Sequence, residues 1–139
     1  MSEVVHKAEW LVSIPSPTKS EEELCQQLLH WADGQLPQAK IARHRCGFLL
    51  EPGPQLAGRD TIALVGHIDT VPPAQQQRLG ILDGKLYGCG ASDMKSGVAV
   101  MMVLLERYAQ WNFNLVGLFY DREEGPYDDN GLDGLLDQL

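Results

Sequence analysis

His67 and Asp69 stand one residue apart in GHIDTVPP, Asp93 lies in ASDMKSG, and Glu123 and Glu124 adjoin in YDREEGP. An imidazole and several carboxylates are the donors of a divalent transition metal, most often zinc. Carboxylates crowded into one place repel unless a cation sits between them. Each residue also has an ordinary reading. A histidine at a strand end can simply be hydrogen-bonded, and an aspartate before a helix can cap its N-terminus. A DREE run can be a solvated acidic loop. What decides is whether the elements that carry these residues bring them together.

The elements can be read from apolar spacing. Residues 3 to 13 suit a first helix, halted by Pro15 and Pro17. Ser20 and Glu23 have capping-box spacing and open a second helix. Its apolar positions are Leu24, Leu28 and Trp31, and Asp33-Gly34 ends it. Residues 39 to 51 read as one or two short strands around Gly47. TIALVG, at 61 to 66, reads as a buried strand. Asp83-Gly84 between apolar flanks at 79 to 86 signals a hairpin. Residues 94 to 108 are apolar nearly all round, which predicts a helix buried on most sides. FNLVGLFY, at 113 to 120, reads as a second buried strand, followed by an acidic loop.

Two apolar strands joined by a long helix form a β-α-β unit with a parallel sheet. Ligands of such sheets sit beyond the carboxyl ends of the strands. His67 and Asp69 follow the first strand; Asp121, Glu123 and Glu124 follow the second; Asp93 precedes the crossover helix. All three segments therefore converge on one rim. The fold class expected is α/β, a mostly parallel sheet flanked by helices.

Composition narrows the partners. The 139 residues carry 19 acidic and 11 basic side chains, a net charge of −8, which disfavours nucleic-acid binding. No run of about 18 apolar residues exists, so no membrane span is expected. The N-terminus lacks a secretory pattern. Cys25, Cys46 and Cys89 are odd in number and widely spaced, which fits reduced thiols and a cytoplasmic location. Cys89 has no evident histidine partner and suits a small turn residue. Met101, Met102, Trp10, Trp31 and Trp111 suit packing roles. Lys95 could touch a substrate carboxylate, but the favoured expectation is that it faces solvent or pairs with a local acid.

The segments GHIDTVPP, LYGCGASDMKSGVAVMM and FYDREEGPYDDNGL, in this order, resemble the dinuclear-zinc amidohydrolases. That family includes succinyl-diaminopimelate desuccinylase, acetylornithine deacetylase, aminoacylase and the glutamate carboxypeptidases. GCG-x-SDMKSG looks most like the desuccinylase branch. The resemblance implies a three-layer αβα catalytic domain, two zinc ions (cobalt being an alternative), and a small N-acyl amino acid or peptide as substrate. It implies His67 as a ligand of one zinc, Asp93 as the bridging carboxylate and Glu124 as a ligand of the other. Asp69 would orient His67, and Glu123 would be the general base. It also implies a cis peptide between Asp93 and Met94.

Relatives in that family are more than twice this length and usually homodimeric. Each zinc there has one further ligand, an acid shortly beyond the Glu pair and a distant histidine. A second domain contributes to dimerisation and substrate binding. Residues 1–139 are therefore expected to be the N-terminal portion of a catalytic domain, lacking the second domain and hydrolysing little alone. The other reading is a non-catalytic remnant, or a half-enzyme completed by a second chain.

Overall fold

The computed structural model describes residues 1–75 and 78–139. Helix α1 (Glu3–Ser13) begins at Ser2, whose hydroxyl accepts the Val5 N–H, and stops before Pro15. Helix α2 (Glu22–Gln35) starts differently from the capping-box expectation. Ser20 makes no cap hydrogen bond; Glu21 occupies the N-cap position, and its carboxylate accepts the Lys19 N–H at 3.0 Å. Glu21 is buried, and that burial raises its pKa.

Strands β1 (Lys40–His44) and β2 (Gly47–Glu51) form a hairpin. β3 spans Thr61–His67 and β6 spans Asn114–Tyr120. The sheet order is β1-β2-β6-β3. β3 and β6 run parallel, joined through α3 (Ser96–Glu106), as the β-α-β reading requires. The parallel part of this sheet is that single pair. β2 meets β6 antiparallel, because the tight β1–β2 turn adds strands of alternating direction. The sheet is thus mixed, within the expected α/β class. β4 (Gly80–Leu82) and β5 (Lys85–Tyr87) form the separate hairpin around Asp83-Gly84; both turn residues have positive φ.

Alternation along the strands sets the layers. Phe48, Leu50, Leu115 and Phe119 join α1, α2 and α3 in the main core. Leu49, Val116 and Leu118 point the other way, where Leu135 of α4 (Leu132–Leu136) covers them. Phe48 and Phe119 stack with centroids 4.7 Å apart, and Trp31 meets Phe119 edge-on at 6.1 Å. Met101 and Met102 are core residues, and Trp10, Trp31 and Trp111 pack against the same cluster. No helix among the described residues is long and apolar enough to cross a membrane.

β3 departs from its reading as a buried strand. It is the edge of the sheet, with Ile62 43% and Val65 42% exposed on opposite faces. Its sequence is nonetheless that of an interior strand, apolar on both faces. Only its carboxyl end is closed in, where Gly66 and His67 are buried. A Cβ on Gly66 would fall 2.7 Å from Met101 Sδ and 3.1 Å from Met94 Cε, so glycine is what lets α3 approach the site.

Candidate metal centre

The carboxyl end of β3 delivers His67, and the chain runs on through Ile68 and Asp69. The Ser16–Thr18 segment after α1 holds this exit. The Ser16 hydroxyl donates to the Ile68 carbonyl at 2.7 Å, the Thr70 N–H donates to Ser16 O, and the Thr18 N–H donates to Thr70 O. The Thr18 hydroxyl donates to Asp69 Oδ2 at 2.8 Å. In sequence this stretch reads only as a helix stop; Ser16 between two prolines and Thr18 after them are the signal of its second role.

Asp69 is fully buried and works as an anchor for two segments. Its carboxylate accepts the Glu123 N–H and the Glu124 N–H, each at 3.0 Å. Burial alone would raise its pKa, but hydrogen bonds from His67, Thr18 and the two backbone amides lower it. His67 Nδ1 lies 2.9 Å from the Asp69 carbonyl and 3.4 Å from its carboxylate. The backbone carbonyl is thus the nearer partner of the ring, with the carboxylate behind it. An Nδ1–H donated to Asp69 leaves Nε2 to face the cluster.

Asp93 reaches that cluster from an irregular turn, Ala91–Lys95. Asp93 and Met94 leave helical angles there, and the peptide between them is cis. Gly90, with φ of +77°, makes the turn possible; a Cβ there would lie 2.6 Å from Thr70 Cγ2. His67 Nε2 is 2.9 Å from Asp93 Oδ1 and 3.8 Å from Glu123 Oε2. One donor atom each from His67, Asp93 and Glu124 fall within 4.8 Å of one another. Partial burial and the nearby Asp93 charge raise the pKa of Glu124. That mutual repulsion is what a bound cation would relieve, and one nitrogen with carboxylate oxygens suits zinc or a neighbouring transition metal.

Other acids of the rim point elsewhere. Asp121 is buried and accepts Arg45 Nη2 at 2.7 Å, while Arg45 also donates to Asp129 O. Asp129 pairs with Lys19 at 3.0 Å. Neither enters the cluster. Cys89 is half-buried and its thiol donates to Val71 O. Lys95 neither faces solvent nor pairs with a local acid, the two favoured expectations for it. It is 1% exposed and pairs with no acid among the described residues; its ammonium donates to Ile14 O at 2.5 Å. Burial pulls its pKa down to about 8.

The His67 ring has a consequence for the metal-free chain. Burial opposes its charging, but hydrogen bonds to Asp69 and Asp93 outweigh this and raise its pKa from 6.5 to about 9. The folded pKa exceeds the unfolded one. The stabilisation is therefore fully present below pH 6.5 and is lost as pH rises to about 9. In chelator-treated protein the urea midpoint should fall across that window, and His67→Gln should remove this part of the fall. An unchanged profile in the variant would show that the ring is not the titrating group.

A sequence model of peptidase family M20/M25/M40 matches residues 63–139, more than half of the chain. The chain belongs to this family. Succinyl-diaminopimelate desuccinylase of Corynebacterium glutamicum is 34% identical over 92% of the chain and 35% of that enzyme. The Bordetella avium desuccinylase is 32% identical over 91% of the chain and 36% of its own length. The M20 chain thus spans about a third of the length of the curated relatives it matches. Aminopeptidase PepT from Bacillus cereus shares its fold, with a TM-score of 0.72 at 23% identity over 88% of the chain and 36% of PepT. So does the YXEP protein of Bacillus subtilis, described as a dinuclear metal-binding peptidase of the M20 family. It has a TM-score of 0.61 at 21% identity, over 87% of the chain and 35% of YXEP. The family match begins at Ala63 inside β3 and takes in His67, Asp93, Glu123 and Glu124.

Proposed function

We propose that the chain supplies a metal-holding part of a hydrolase that cleaves the amide bond of an N-acyl amino acid. The observation that carries this is the convergence of His67, Asp93 and Glu124 within 4.8 Å, from three separate segments, in a chain of the M20 family. His67, Asp93 and Glu124 would hold the metal, zinc by the chemistry of the donor set, with Asp93 as the shared carboxylate and His67 and Glu124 as ligands of one ion each. A metal held there would supply Lewis-acid polarisation of the scissile carbonyl and acidification of the attacking water. Glu123, 40% exposed and 3.8 Å from His67, takes a proton from that water at its carboxylate and passes it to the departing nitrogen. Asp69 fixes the backbone of both glutamates and backs the imidazole. Water adds to the acyl carbon, the C–N bond breaks, and a carboxylic acid and an amine leave.

The identities to two desuccinylases favour an N-succinyl amino acid such as succinyl-diaminopimelate over a peptide. The three free thiols agree with a cytoplasmic site of action. Three protein ligands leave two zinc ions under-coordinated, so we hold that residues 1–139 need further polypeptide to turn over substrate. The free, two-faced apolar edge of β3 supports a second polypeptide completing this part. The experiment is a zinc titration and an N-succinyl amino acid hydrolysis assay of the chain. Both are run with and without the C-terminal two-thirds of a relative supplied as a second chain. Weak zinc binding and no amine release alone, then zinc-dependent release on mixing, is the expected outcome. Full turnover by residues 1–139 alone would overturn the incompleteness, and absence of zinc binding in either form would overturn the metal assignment.

A further inference from the structure

Lys95 follows Asp93 by two residues, but its ammonium lies against the end of α1 rather than in the metal cluster. Its Nζ donates to Ile14 O, and no other hydrogen bond or ion pair engages it among the described residues. An ammonium has three N–H donors. Here one is used, on a side chain 1% exposed. A buried charge so sparsely partnered is costly unless something else meets it.

Beside it is a cavity of about 170 Å³. Its walls are largely apolar, from Val12, Pro15, Pro17 and Leu79, and its only charged lining residues, among those described, are Lys95 and Arg78. No acid among the described residues lines it, in a chain of net charge −8. The volume falls below the roughly 300–1,000 Å³ of pockets for drug-sized ligands, so the occupant is small. A metal ion or an amine would meet two cations there. A fully hydrated oxyanion would find too few polar partners on the walls. The complementary ligand has one negative end and a short hydrocarbon tail.

We propose that this cavity binds a short aliphatic carboxylate, its oxygens on the Lys95 ammonium and its chain against Val12, Pro15 and Pro17. The site is separate from the metal ligands and needs none of them. It adjoins the metal centre all the same: Thr70, Arg78 and Cys89 line both this cavity and the open cleft that Asp93 and Glu124 border.

Butyrate is the probe, titrated into the chelator-treated 139-residue chain, so that no metal competes for the carboxylate. Amide chemical shifts of Val12, Ser13, Ile14, Ser16 and Lys95 report the cavity, and those of His67, Asp93 and Glu124 report the cleft. Saturable shifts confined to the cavity group are expected, with none from 1-butanol or butylamine at equal concentration. Lys95→Met should weaken binding by about tenfold or more, because the charge-assisted hydrogen bond is lost. Leu79→Trp, at a residue 60% exposed on the rim, should block entry without disturbing the core, and it serves where the Lys95 variant does not fold. Failure to saturate, shifts confined to the cleft group, or equal response to butanol would each overturn the proposal. None of these results would touch the hydrolase assignment, which is read with metal bound.

Discussion

Glu123→Gln in the completed, zinc-loaded enzyme lowers turnover by about 10²–10⁴-fold, the usual worth of a positioned general acid–base, while zinc affinity stays near that of the unmodified chain. The change keeps the side chain's length and its hydrogen-bonding oxygen but removes its ability to take a proton. The Glu123 N–H to Asp69 bond is a backbone contact, so the loop keeps its anchor. Zinc titration and steady-state hydrolysis, measured on one preparation, separate the two effects. Turnover within a few-fold of the unmodified enzyme would place the proton transfer elsewhere. A parallel collapse of zinc affinity would instead make Glu123 a ligand.

Asp69→Ala acts on metal binding without removing a proposed ligand. Groups that support metal ligands are typically worth 10–100-fold in affinity, and roughly that loss is expected here. The geometry says why. One fully buried carboxylate holds the Glu123 and Glu124 amides, the Thr18 hydroxyl and the back of the His67 ring. Its loss orphans buried donors at about 1–3 kcal/mol each, so the denaturation midpoint should fall as well. Asp69→Asn should recover little of this. Its amide nitrogen brings donors to a place where only acceptors are wanted. Calorimetric zinc titration alongside urea denaturation checks both arms. An alanine variant that binds zinc normally would refute the anchoring role.

Much of the site was legible because it depends on residue type and strand-end position. Apolar runs at 61–66 and 113–120 locate the two parallel strands, and His67 and Glu124 from the segments after them are brought together with Asp93 from ahead of the crossover helix. The burial of β3 was not legible in the same way. TIALVG is an interior sequence, and only the sheet order shows it at an edge. The capping box at Ser20 was a local pattern overridden by the Lys19–Glu21 turn. Asp121 looks like its neighbours Glu123 and Glu124 in sequence, but Arg45 on the β1–β2 turn claims its carboxylate, and no local pattern announces that long-range pair. Lys95 reads as a surface residue because that is a lysine's usual place, yet it is buried. Nothing local announces that α1 ends on top of it.

The position of β6 has a dynamic counterpart. Gly117, Leu118 and Phe119 are paired on both sides, with β2 and with β3. Their amides should be among the slowest to trade deuterium with water. β3 is paired on one side only, so every second amide along it points away from its neighbour and should exchange fast. The strand that carries the His67 imidazole therefore protects its protons in an alternating, half-and-half pattern. A second polypeptide docked along that strand would turn the pattern uniform, giving a readout of assembly that needs neither substrate nor metal.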